Sequence, residues 1–182
     1  MPGARPGDIP VDETPFGEDP SDLPSFRPES DPDCRTVNRT NWGLDATDII
    51  HQTINWKKSI HSSTIRLTSF DGGETERRFA RLKTALRSCG TYRGESWAGD
   101  YTGSIESQKA PAAGDEAVQY KRSVTFPLNP DDGGTGETMT TSSIVTIVRT
   151  GNVIATYGHD KDAFPTALIT LQTQRIRNAQ RP

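Results

Sequence analysis

The residues of this chain whose types could do chemistry are few: three histidines, two cysteines and one local imidazole–carboxylate pair. His51, His61 and His159 are spread along the sequence. Two cysteines cannot complete a tetrahedral zinc site, and no pair of ligands has metal-binding spacing, so neither a metal nor a cofactor is expected. His159-Asp160 is the arrangement a general base would use, and Ser142 or Ser143 would then be the nucleophile. A small hydrolase or transferase, with Asp162 as a second candidate carboxylate, is therefore an alternative reading. No G-x-S-x-G elbow occurs to strain a serine into attack. At a predicted strand-to-helix junction, Asp160 or Asp162 is expected to cap the closing helix instead.

Other motifs dissolve on inspection. Gly133-Gly134-Thr135-Gly136-Glu137 resembles a phosphate loop, but it lacks the Gly-Lys-Ser/Thr ending and precedes a strand, so it reads as a hairpin loop. Asp131-Asp132 and Asp115-Glu116 lack the alternating ligands of a calcium loop. Asn38-Arg39-Thr40 fits a glycosylation sequon. Arg77, Arg78, Arg81, Lys83 and Arg87 are interspersed with Glu74 and Glu76 and have no stacking aromatics among them, so a solvated helix face is expected and no nucleic-acid partner.

Cys34 and Cys89 carry more information. A disulfide between them would close a loop of roughly 55 residues and contribute about 4 kcal/mol by the chain-entropy argument. The alternative is two unrelated thiols, with Cys89 facing the core beside Leu86. A lean composition favours the staple, and with it an oxidising compartment.

The elements that must position these residues follow from composition and periodicity. Of 182 residues, 31% are hydrophobic, which supports one modest domain plus sequence outside its core. No apolar run approaches the ~20 residues of a membrane helix. Residues 1–33 hold 8 of the 13 prolines and a net charge of −7, leaving +4 on the remainder of a chain whose total is −3. Proline at that density denies both helix and ladder, so residues 1–41 are expected to be a disordered acidic tether. No charged n-region and apolar stretch follow Met1. Either the chain is cytoplasmic, or a signal or membrane anchor once preceded this start.

Alternation predicts strands over residues 49–56, 63–70, 118–126, 138–149 and 153–157, with a hairpin turn at Gly151-Asn152. Along the third of these, Val118, Tyr120, Val124 and Phe126 share one side, interrupted by Arg122. A helix is expected from Asp71, which would cap it, through Phe79, Leu82 and Leu86 to a stop at Gly90. A closing helix starts near Pro165, with Leu168, Leu171 and Ile176 on its apolar stripe. Residues 42–182 should therefore form an α+β domain: an antiparallel sheet of about five strands with two amphipathic helices packed on it. The Gly-rich stretch containing Trp97 and Tyr101 reads as a connection.

Ile54-Asn55-Trp56, Ile65 to Phe70, the helix end Leu82…Leu86-Arg87-Ser88-Cys89-Gly90, and the run Val145 to Ile154 together resemble the PknH-like extracellular sensor domain family of actinobacterial lipoproteins and secreted proteins. The resemblance covers about residues 42–178. It implies an antiparallel sheet with helices, a disulfide, an extracellular or cell-surface location and a groove that receives a ligand. The kinase members typically have two disulfides; this chain has cysteines for one, and no kinase domain, which points to a stand-alone anchored or secreted relative. The expected function is a non-enzymatic extracytoplasmic sensor or ligand-binding module whose partner is a small molecule or a cell-surface protein. Trp56, Trp97, Tyr101 and Tyr120 are the candidate lining of the groove, set against the simpler reading that Trp56 and Tyr120 are core. A cytoplasmic partner-binding protein is a third reading, and it requires both thiols reduced.

Overall fold

Each alternating stretch becomes a strand. The computed structural model describes residues 11–14, 30–56, 62–71, 73–96, 99–128, 137–160 and 162–181, with the backbone alone at 11–14, 95, 96, 99 and 160. The elements run β1 (Val11–Thr14), α1 (Pro32–Trp42), β2 (Asp48–Asn55), β3 (Ser62–Ser69), α2 (Glu74–Ser88), β4 (Thr91–Ser96), β5 (Gly99–Gln108), β6 (Glu116–Pro127), β7 (Thr138–Thr150), β8 (Val153–Asp160) and α3 (Thr166–Ala179). Among the described residues they make one sheet of eight strands in the order β1-β2-β3-β8-β7-β6-β5-β4, antiparallel at every pairing.

The sheet is covered on both faces. On one face α1 and α2 bring Val37, Phe79, Leu82 and Leu86 against Tyr120, Val145, Ile147 and Ile154. On the other, α3 brings Ile169 and Ile176 against Ile65, Val148, Ala155 and Tyr157. Full burial of a Leu or Phe contributes about 1.5–3 kcal/mol, so these two clusters fix which way each strand faces. The apolar stripe of α3 is Ile169, Thr173 and Ile176; Leu168 and Leu171 flank it, one residue out of phase with the expected stripe.

The sheet is larger than the expected five strands, and there are three helices rather than two. The Gly-rich connection is the β4–β5 hairpin. Tyr92 pairs directly across from Gly103, and Tyr101 across from Gly94. A Cβ on either glycine would run into the ring opposite it, so each glycine is the space in which a tyrosine lies. Glycine normally argues against a strand; here two of them accept cross-strand aromatics and make one.

The domain also begins earlier than residue 42. Asp31, Pro32 and Asp33, counted with the tether, are the start of α1: the Asp31 carboxylate accepts from the Cys34 amide at 2.8 Å, Pro32 occupies the first turn, and Asp33 adds negative charge there. Gly43 ends the helix at φ 67°, packed against Thr68 and Arg66 where no side chain fits. Residues 1–10 and 15–29 of the expected tether lie outside the described residues. Helix α2 starts at Gly73 with no side-chain cap, so Asp71 contributes its carbonyl to the Glu74 amide rather than its carboxylate. Its stop is the extended Cys89, not a left-handed Gly90.

Candidate functional site

Cys34, in the first turn of α1, and Cys89, at the end of α2, form a disulfide and are both buried. The bond fastens α1 along α2, and Arg78 of α2 adds a hydrogen bond to the Leu44 carbonyl at 2.9 Å. Docked this way, the end of α1 overhangs the sheet. Asn41 and Trp42 there roof a cavity of about 310 Å³ whose floor and walls include His51, Thr64, Arg66, Arg122, Ser143 and Gly158.

Strand register brings these residues together. His51 pairs with Arg66 and Arg66 with Thr156; one row along, Thr64 pairs with Gly158 and Gly158 with Val145; further along, Ser143 pairs with Arg122. In the middle row Gly158 leaves the floor without a side chain, next to Thr64. Arg66 is only 8% exposed; its Nη1 donates to the Asn41 carbonyl and its guanidinium lies under the Trp42 ring. Arg122 donates through Nε to Tyr92 Oη at 3.2 Å.

The electrostatics follow from burial. Desolvation lowers Arg66 to about 10, with Tyr120 acting in the opposite direction. The His51 imidazole is lowered by burial and then by the neighbouring Arg66 charge. Burial also opposes the charge on Arg122, but Tyr92, Tyr120 and Tyr101 around it outweigh that and raise it. The Tyr120 phenol is pushed well above its ordinary value by complete burial, and both arginines act on it. The site is thus a partly desolvated, positively charged hollow. It holds polar groups in place.

The described members of the expected aromatic groove, Trp56, Tyr101 and Tyr120, lie apart. Tyr120 is fully buried, and Tyr101 is buried edge-on to Tyr92 at 6.1 Å, both in the cluster beneath α1 and α2. Trp56 lies on the opposite face, its ring edge-on to His159 and to Phe164, each at 6.1 Å. Trp97 falls outside the described residues. Tyr101 does border a second cleft of about 620 Å³ beside Arg93, Asp100 and Phe126, at the far end of the sheet from Trp56.

The catalytic alternative also rearranges. His159 Nδ1 is bonded to Ser63 Oγ at 2.6 Å, not to Ser142 or Ser143. Trp56 Nε1 donates to the same Ser63 oxygen at 2.6 Å, and Ser63 is 1% exposed. Ser142 Oγ is bonded to Ser123 Oγ, and Ser143 lines the cavity on the other face of the sheet. The Asp160 side chain is outside the described residues, and α3 begins at Pro165 without a side-chain cap from Asp162.

The remaining sequence candidates are structural. Glu74 pairs with Arg77, Arg78 and Arg81, and Glu116 with Lys83 and Arg149, so much of the basic face of α2 is neutralised by acids. Asp115 accepts from the Gly151 amide at 2.7 Å and pairs with Arg177, ties that join the β7–β8 turn to α3. Asn38 is 5% exposed within α1, where the folded domain leaves no room for a glycan. Residues 129–136, with Asp131-Asp132, lie outside the described ones. Among the described residues no cluster of three His, Cys, Asp or Glu side chains could hold a metal, and no helix is long and apolar enough to cross a membrane.

Arg122 was legible in the sequence as an anomaly; Arg66 was not, because it falls on the polar side of its strand's alternation and only the docked α1 covers it. For Arg122 the signal was its position inside an otherwise apolar alternation.

No family model matches the sequence, and no curated protein matches it. The fold is similar to the extracellular domain of PknH from Mycobacterium tuberculosis, with a TM-score of 0.55 and 11% identity over 84% of this chain and 78% of that one. At that identity the likeness is one of fold, and it agrees with the resemblance drawn from element order and the cysteine at the end of α2.

Proposed function

We propose that this chain is a non-enzymatic extracytoplasmic sensor or ligand-binding module, anchored or secreted, that binds a small molecule in the cavity beneath α1. The observation that carries this reading is the roof. Asn41 and Trp42 cover the cavity because the Cys34–Cys89 bond holds α1 in place, so the site depends on a bond that oxidising compartments maintain. The fold likeness to an extracellular domain supports the same location. A largely pre-formed concave hollow with a few convergent polar groups is the usual form of a small-molecule site.

The test is thiol status in the native host, by rapid alkylation and intact-mass measurement without reductant. Both cysteines should be protected. Two alkylated thiols would overturn the extracytoplasmic reading and favour a cytoplasmic partner-binding protein.

A second reading, hydrolysis through His159, has one observation in its favour, the Ser63–His159 hydrogen bond. A fluorophosphonate probe discriminates: labelling of Ser63 that His159→Ala abolishes favours the hydrolase. The binding-module reading expects no labelling, because Ser63 is closed off and both its partners are engaged.

A further inference from the structure

Resting on the ligand-binding reading above, we propose that the cavity beneath α1 is an anion site, which takes the carboxylate or phosphate group of a small ligand between Arg66 and Arg122. Its described lining contains two arginines, Arg66 and Arg122, and two histidines, His51 and His159, and no Asp or Glu. A cation such as Arg122 that faces a partly desolvated hollow with no ion pair among the described residues is costly. A planar or tetrahedral oxyanion that accepts from it, with Arg66 across the cavity, offsets that cost.

The geometry favours such a ligand over a simple polar one. Arg122 is oriented by the bond from its Nε to Tyr92 Oη, which fixes the plane of the fork and leaves its terminal nitrogens without a hydrogen-bond partner among the described residues. Arg66 is held in place by the Asn41 carbonyl and the Trp42 ring. Orientation before binding lowers the entropy lost on forming paired hydrogen bonds. Tyr120 Oη, in a fully buried side chain close enough to both arginines for each to act on it, also has no hydrogen-bond partner among the described residues. Gly158 supplies the room: the centre of the floor holds no side chain, while Thr64, Thr156 and Ser143 around it carry hydroxyls that can donate to an oxyanion.

The experiment titrates the isotopically labelled full chain, disulfide intact, with inorganic phosphate, with citrate and with glucose at constant ionic strength. It follows the amide resonances of His51, Thr64, Ser143 and Gly158. Saturable shifts with phosphate or citrate are expected, and which of the two saturates at lower concentration separates a phosphate from a carboxylate ligand. Arg122→Gln should weaken that anion at least tenfold, while Arg177→Gln, at a residue in the last turn of α3 that pairs with Asp115 at 3.1 Å, should change it less than twofold. Should Arg122→Gln fail to fold, Ser143→Leu, which fills the cavity from β7, should abolish the shifts. Saturation with glucose and with neither anion overturns the anion assignment and leaves the ligand-binding reading standing. No saturable shift with any of the three overturns the anion assignment and counts against that reading too, as does phosphate binding that both variants leave unchanged.

Discussion

The guanidinium carbon of Arg66, on β3, lies 5.0 Å from the centroid of the Trp42 ring, on the last turn of α1. The same arginine donates to the carbonyl of Asn41, one residue earlier. A strand residue thereby holds the end of a helix over the sheet, and the helix in turn covers the strand residue. The second fixed point of α1 is the disulfide near its start, so the helix is pinned at both ends and the cavity lies under its C-terminal end.

Trp42→Ala should release one end only. A desolvated cation–π contact of this kind contributes about 2 kcal/mol, and loss of packing adds to it. Amide exchange in α1 should quicken while that of α3, on the opposite face, stays unchanged. Equal quickening in both helices would show that α1 is not held locally.

Cys34→Ser with Cys89→Ser should lower the free energy of unfolding by up to about 4 kcal/mol, because the bond closes a loop with a sequence separation of 55. Urea denaturation of the variant, and of the parent with and without reductant, measures this. A loss below about 1 kcal/mol would mean that α1 docks through its side chains alone.

Gly103→Ala should cost about 1–3 kcal/mol by overpacking. The added methyl displaces the Tyr92 ring, and with it the Tyr92 Oη that accepts from Arg122. The effect should shrink when Tyr92 is already Leu, since the ring that collides is gone. A double-mutant cycle on thermal unfolding reads the coupling, which should be at least 0.5 kcal/mol.

Stability should fall along two separate limbs as pH decreases. His51 binds its proton less readily folded than unfolded, through burial and the Arg66 charge, so the unfolded state takes up more protons. Stability therefore drops as pH falls through the unfolded value near 6.5, and this loss levels off below the lowered folded value. His51→Gln should remove that limb. Asp115 and Glu116 are lowered chiefly by their hydrogen bonds to the Gly151 amide and to Lys83, so their contribution is present above the ordinary carboxylate range and lost as pH falls through their folded values. Asp115→Asn should flatten only this acid limb, measured by denaturant midpoints across the range.

Five strands and the two helices that carry most of the core were legible because each buries one side, and burial imposes a period of two or 3.6 on the residues themselves. The turn at Gly151-Asn152 and the pairing of the cysteines were within reach for similar local reasons. What periodicity cannot carry is a role that depends on a distant neighbour. Gly94 and Gly103 look like a loop until Tyr101 and Tyr92 lie across them. Asp31 and Pro32 look like more of an acidic, Pro-rich segment until a helix starts there. Arg66 and Arg122 sit on different strands, separated in the sheet by β8 and β7, and nothing along the chain relates them. Local patterns specify which residues are buried, because burial acts on each residue in turn. The order of the strands and the docking of α1 decide which polar residues share a cavity, because that is a property of the packed sheet.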